Sequence, residues 1–275
     1  MKRYVIQHRI HDWDPWQVCP RREYDTLQEA KAAFEALPFK TVTAATMARC
    51  LSAEHDKQVV LIDADQQGNL SQYFGVTDTS GCGNTWTLLT DGAGYWPDFV
   101  TPVGPNLDLI PSGMELARAD LPGSGAKVTQ IEDLRTVLAE DGVQYLIIDL
   151  PPSLGLASQA ALLAADEVII PIRLDVFSTA GMAELTRQVD SMRSVNPRLR
   201  VAGVLGTQFQ RTAEEREIHR LLKAESGLPV FRTLIRMSPP VPRSIAARES
   251  ILTFSPHCGA SKDYRAFVRE YLESF

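Results

Sequence analysis

Five residues in this chain have the types and spacing to handle a phosphate and a hard cation. Lys40 and Thr41 stand side by side in ALPFKTVTAA, Asp63 and Asp65 close the run VVLIDAD, and Asp149 closes YLIID. An ammonium group meets phosphate oxygens, while hydroxyl and carboxylate oxygens suit Mg²⁺, which takes few protein ligands and keeps several waters. A further carboxylate can orient an attacking water toward phosphorus. In an open parallel sheet the ligand lies outside the carboxyl ends of the strands, so acids at two strand ends point at one crevice. A single aspartate ending a strand is often no more than a cap for the next helix. Two such ends, one followed by Gly68-Asn69 and the other by Pro151-Pro152, are harder to read that way.

Positioning these residues is the work of alternating strands and helices. QVVLIDAD, NLDLIPS, YLIIDLPP, EVIIPIRL and VAGVLGTQF are short, nearly continuous apolar runs, with PVFRTLIR a weaker member of the series. Strands of that kind, spaced by helical segments, predict an α/β fold: a doubly wound, mostly parallel sheet with helices on both faces. The stretch DGAGYWPDFVTPVGP, residues 91–105, is the most loop-like. Residues 1–39 read differently from 40–275 and form a separate amino-terminal segment. RYVIQHRI has strand composition, WDPWQVCP is turn-like, and Leu27, Ala30, Phe34 and Leu37 behind Thr26 have helical spacing. Pro38 breaks that periodicity, so Lys40 is expected at or just inside the start of a new helix running to about Ser52. RYVIQHRI either fills a place in the sheet or stands outside it.

Bulk properties bound the class of protein. At 275 residues with 44% apolar content the chain supports one large α/β domain and an appendage. A net charge of -6 argues against coating nucleic acid over the whole surface, so any such contact is regional. Cys19, Cys50, Cys82 and Cys258 are scattered without a C-x-x-C pair, which fits a reducing cytoplasm. No apolar run is long enough to span a bilayer, and the charged, tryptophan-bearing start is unlike a signal peptide. Membrane attachment and export are therefore not expected. His8 and His11 precede a Trp-Asp-Pro-Trp turn and read as solvated loop rather than metal ligands.

DADQQGN, YLIIDLPPSLGLASQAALLAADEVIIPI, GVLGTQF and SKDYRAFVREYL, in that order from about Lys40 to the carboxyl terminus, resemble the ParA family of plasmid and chromosome partition ATPases, relatives of the MinD-type deviant Walker proteins. The resemblance implies a P-loop NTPase-like fold, ATP and Mg²⁺ as cofactors, and ATP-dependent homodimers holding nonspecific DNA. It also implies a centromere-binding ParB-type partner and a cytoplasmic, nucleoid-associated location with no membrane contact. It implies Lys40 on the β/γ-phosphates, Thr41, Asp63 and Asp149 in the metal sphere, and Asp65 positioning the attacking water, with Lys40 and Asp65 as the catalytic pair.

The same resemblance exposes a gap. The family loop K-G-G-V-G-K-T-T places its second lysine on Lys40, so its earlier positions fall on Glu35, Ala36, Leu37, Pro38 and Phe39, none of them glycine. Glycines let successive backbone N–H groups turn inward around phosphates. Pro38 has no N–H, Phe39 brings a ring, and Glu35 replaces the lysine that in the family reaches across the dimer. A carboxylate there repels a triphosphate. DADQQGN also departs from the family's DADPQGN at Gln66. LPGSGAKVT, with Gly123, Gly125, Lys127 and Thr129, caricatures a phosphate loop, but no strand precedes it and its spacing is wrong.

Two readings follow. The chain is a ParA-like partition or cargo-positioning ATPase, or it is a degenerate, non-catalytic relative that binds DNA or a partner without turning over nucleotide; the missing glycines leave ATP hydrolysis open. For DNA, residues 231–275 carry seven basic residues against four acidic ones, a local excess of three. With the family's habit of binding through its last helices, Arg236, Arg243, Arg248, Lys262, Arg265 and Arg269 become the phosphate-contacting set.

Overall fold

The computed structural model describes residues 4–7, 39–77, 83–92, 94–151, 153, 155–174, 187 and 190–274. Its centre is a seven-stranded sheet. In chain order the strands are β1 (Tyr4–Gln7), β2 (Val59–Asp63), β3 (Thr101–Gly104), β4 (Leu107–Ile110), β5 (Tyr145–Asp149), β6 (Glu167–Arg173) and β7 (Arg200–Thr207). Across the sheet they lie β3-β4-β2-β5-β1-β6-β7. All neighbours are parallel except the β3/β4 pair.

The apolar strand runs are explained by burial on both faces. Every residue of β2 and β5 is buried, and alternation along a strand sends neighbours to opposite sides. Val60, Ile62, Leu146 and Ile148 enter one core, with α3 (Thr85–Asp91), α4 (Gln130–Glu140) and α5 (Leu156–Ala164). Val59, Leu61, Tyr145 and Ile147 enter the other. There they meet α1 (Phe39–His55), α2 (Asn69–Tyr73) and three carboxyl-terminal helices: α7 (Pro240–Ala246), α8 (Ile251–Phe254) and α9 (Gly259–Glu273). Helix α6 (Ala213–Glu225) begins with a reciprocal cap between Thr212 and Glu215.

Helix α1 is the buried axis of that second layer. From Lys40 to Ala48 every residue is buried, which explains why its sequence lacks a polar stripe. It starts where expected and runs one turn beyond Ser52, to His55.

Three expectations are settled or changed. Of the two places open to RYVIQHRI, its described residues Tyr4–Gln7 take the one in the sheet, between β5 and β6, with Gln7 opposite Asp149 on one side and Ile169 on the other. Tyr4–Gln7 thus lies in the same sheet as the strands of 40–275. The helix expected over 27–37 lies outside the described residues. Second, the loop-like stretch 91–105 contains a 3₁₀ turn, Trp96–Phe99, and the antiparallel edge strand β3, which Pro102 and a register shift had disguised. Third, PVFRTLIR is not a full strand. It runs beside β7 with isolated bridges at Val230 and Arg236.

Candidate functional site at the carboxyl ends of β2 and β5

Strands β2 and β5 pair in parallel from Val59↔Tyr145 to Asp63↔Asp149, so their terminal aspartates face each other in register. The amino terminus of α1 meets them there. Thr41 Oγ1 donates to Asp149 Oδ2 at 2.6 Å. Lys40 Nζ donates to Asp65 Oδ2 at 3.3 Å and to the Leu150 carbonyl oxygen. The structure therefore brings Lys40, Thr41, Asp63, Asp65 and Asp149 into one crevice, all of them buried.

The two facing acids differ in their partners. Asp63 Oδ2 accepts from Ser71 N at 2.8 Å and Ser71 Oγ at 2.7 Å, and Oδ1 accepts from Asp65 N at 3.2 Å. Ser71 Oγ in turn accepts from Ser112 N. Asp149 Oδ1 is buried and has no hydrogen-bond partner among the described residues. Burial pushes the Asp63 carboxyl up to about 7, helped by the neighbouring Asp149 charge and opposed by the Ser71 and Asp65 hydrogen bonds. Burial pushes Asp149 up to about 6, with the Lys40 charge and the Thr41 hydroxyl pulling it down and Asp65 pushing it up.

Ser71, Ser112 and the Leu150 carbonyl were not legible as site residues. Ser71 reaches Asp63 because α2 starts just after the turn at Gly68, whose φ of +60° is the left-handed conformation glycine tolerates.

Among the described residues no group of three or more His, Cys, Asp or Glu side chains stands ready to hold a metal. What the crevice offers a hard cation is the unpartnered Asp149 oxygen beside the Thr41 hydroxyl, a donor set that fits Mg²⁺ with water filling its remaining positions. The phosphate side does not fit equally. The first glycine in the chain is Gly68, and residues 35–38 lie outside the described residues. LPGSGAKVT is no substitute: the N–H groups of Ser124, Ala126 and Lys127 are taken by Leu121, Ser124 and Leu89.

The carboxyl-terminal basic set divides in two. Arg236 forms a fork with Asp263, with Nε and Nη2 each 2.6 Å from a carboxylate oxygen, and Arg265 Nε lies 2.8 Å from Glu54 Oε1. Arg243, Arg248, Lys262 and Arg269 are exposed and make no ion pair among the described residues. No helix among the described residues is long and apolar enough to cross a membrane.

Comparison with known proteins agrees with this layout. The AAA domain family matches residues 39–201. Chromosome partitioning protein ParA of Caulobacter vibrioides is 29% identical over 238 residues, covering 85% of this chain and 89% of that protein. Chromosome-partitioning ATPase Soj of Thermus thermophilus is 30% identical over 235 residues, covering 85% and 90%. Among solved structures, cobyrinic acid a,c-diamide synthase of Mycobacterium smegmatis with ADP and magnesium superposes with a TM-score of 0.75 at 22% identity, covering 99% of this chain and 95% of that one. A mostly parallel sheet ending in paired aspartates beside an α1 lysine and threonine, in a chain matched along most of its length by partition proteins, places this protein in the ParA family of P-loop ATPases.

Proposed function

We infer that this chain is a partition or cargo-positioning protein of the ParA type that holds DNA and a partner protein without appreciable ATP turnover. The carrying observation is the state of Lys40. The amine that in the family resemblance meets phosphate is 1% exposed and bonded to Asp65 and the Leu150 carbonyl. The segment before it supplies no glycine to turn backbone N–H groups inward. On this reading Thr41 and Asp149 hold Mg²⁺ through its waters, Asp63 supports them from Ser71, and the metal when bound supplies charge neutralisation in the crevice. Arg243, Arg248, Lys262 and Arg269 offer phosphate contacts to DNA of any sequence. The names of the Caulobacter and Thermus relatives support partitioning as the process. A homodimer, a ParB-type partner and a nucleoid-associated location belong to the same proposal.

A second reading, an active partition ATPase, draws on the unpartnered Asp149 oxygen, which suits a metal brought with nucleotide. Calorimetry with Mg-ATP on the full chain, followed by a turnover assay with DNA, separates the two. Charge-assisted hydrogen bonds contribute about 1.5–3 kcal/mol each, so loss of three backbone donors costs roughly 4–9 kcal/mol, or several powers of ten in affinity. Weak binding and negligible turnover are expected. Robust DNA-stimulated hydrolysis, abolished by both Lys40→Ala and Asp65→Ala, would overturn the proposal.

A further inference from the structure

Three carboxylates crowd the crevice with almost no access to water: Asp63 and Asp149 are fully buried and Asp65 is 4% exposed. Like charges repel, and each has lost hydration, so such a cluster calls for a cation. The cation present is the chain's own. Lys40 Nζ reaches Asp65, just past the end of β2, and the carbonyl of Leu150, just past the end of β5. One ammonium thus bridges two neighbouring strand ends while its helix partner Thr41 holds Asp149. Two of the three donors of that ammonium are committed to the protein itself.

We propose that Lys40 is a built-in counter-ion, a latch that holds the crevice in its folded arrangement with no nucleotide present, and that any polyphosphate entering the crevice must displace Asp65 from it. This rests on the preceding section only in taking the crevice as the place where a polyphosphate would bind. A lysine kept solely for an incoming phosphate would be a burden on the ligand-free fold, because an unpaired buried ammonium is destabilising. The latch makes the opposite demand: the ligand-free fold needs Lys40. It also sets Asp65 and phosphate in competition for one amine.

The test uses the full chain. Urea unfolding without nucleotide or metal is compared for the wild type, Lys40→Met, Asp65→Asn and the double variant. Tripolyphosphate binding without metal is measured by calorimetry for the wild type and Asp65→Asn. The latch requires that Lys40→Met lower the unfolding midpoint, that this loss shrink when Asp65 is already asparagine, and that Asp65→Asn bind tripolyphosphate about tenfold or more tightly than the wild type. An unchanged midpoint for Lys40→Met overturns it, as does equal tripolyphosphate affinity in the two proteins, absence of binding by both included. Should Lys40→Met fail to fold, the tripolyphosphate comparison decides, since a purely structural role leaves that affinity unmoved. Tight Mg-ATP binding with rapid turnover by the wild type would defeat the proposed function while leaving the unfolding and competition results to stand or fall separately.

Discussion

Asp63 and Asp149 are direct partners in the β2/β5 ladder, yet one has both carboxylate oxygens bonded to neighbouring donors and the other keeps one oxygen with no partner among the described residues. The asymmetry assigns different work to two residues that look alike in the sequence. Asp63 ties the end of β2 to the first turn of α2 through Ser71, and Asp149 faces Thr41 with capacity to spare.

Substitution should separate them. Asp63→Ala removes the acceptor of the Ser71 N–H, the Ser71 hydroxyl and the Asp65 N–H, and a donor left unpaired costs about 1–3 kcal/mol. A clear drop in the urea midpoint is expected, softened by removal of a buried charge. Asp149→Asn should fold with near wild-type stability but lose any rise in melting temperature on adding Mg²⁺. Equal behaviour of the two variants in both measurements would refute the division.

Gly68 is the hinge of the turn that sets Asp65. An alanine there must hold φ near +60°, at about 1–2 kcal/mol, and its Cβ would lie 2.8 Å from the Ser112 backbone oxygen. Because Gly68 N also bonds the Asp65 carbonyl at 2.9 Å, the strain passes directly to the Lys40 partner. We predict a loss of about 1–3 kcal/mol in chemical denaturation. A Gly68→Ala protein as stable as the wild type would contradict this geometry.

At the opposite end of the sheet, Glu167 is 1% exposed and accepts from Tyr271 OH at 2.7 Å and from Arg200. This pair fastens α9 to the first residue of β6. Tyr271→Phe takes one donor from a buried carboxylate and should cost about 1–3 kcal/mol. Removing Arg200 should cost less, because its side chain is half exposed. Neither change should alter the response to Mg²⁺ or tripolyphosphate, and an altered response would show that the two ends of the sheet are coupled.

The basic residues should fall into two classes when DNA retardation is measured against salt. Arg243→Ala and Arg269→Ala should leave stability intact, weaken binding to any sequence and reduce the salt slope by about one each. Arg236→Ala should chiefly lower stability, since it breaks the fork with Asp263, which also accepts from the Arg236 backbone N–H. The same effect on DNA from all three substitutions would mean that the ion pairs do not govern availability.

The sequence by itself determined the parallel sheet, the helix from Lys40 and the convergence of Asp63, Asp65 and Asp149, because these follow from nearly continuous apolar runs spaced by helical segments, the break at Pro38 and the rule that strand ends share a crevice. It also determined the absence of a glycine cradle, a matter of composition. Only the tertiary structure decided that Tyr4–Gln7 fills the slot between β5 and β6, since four residues of strand composition carry no record of which neighbours they pair with. The fate of the charged groups was likewise decided in three dimensions. Lys40 meets a carbonyl 110 positions away, and Arg265 meets Glu54 across 211. Local pattern records which way a residue faces; the partner it finds there depends on how distant segments pack, which no spacing along the chain encodes.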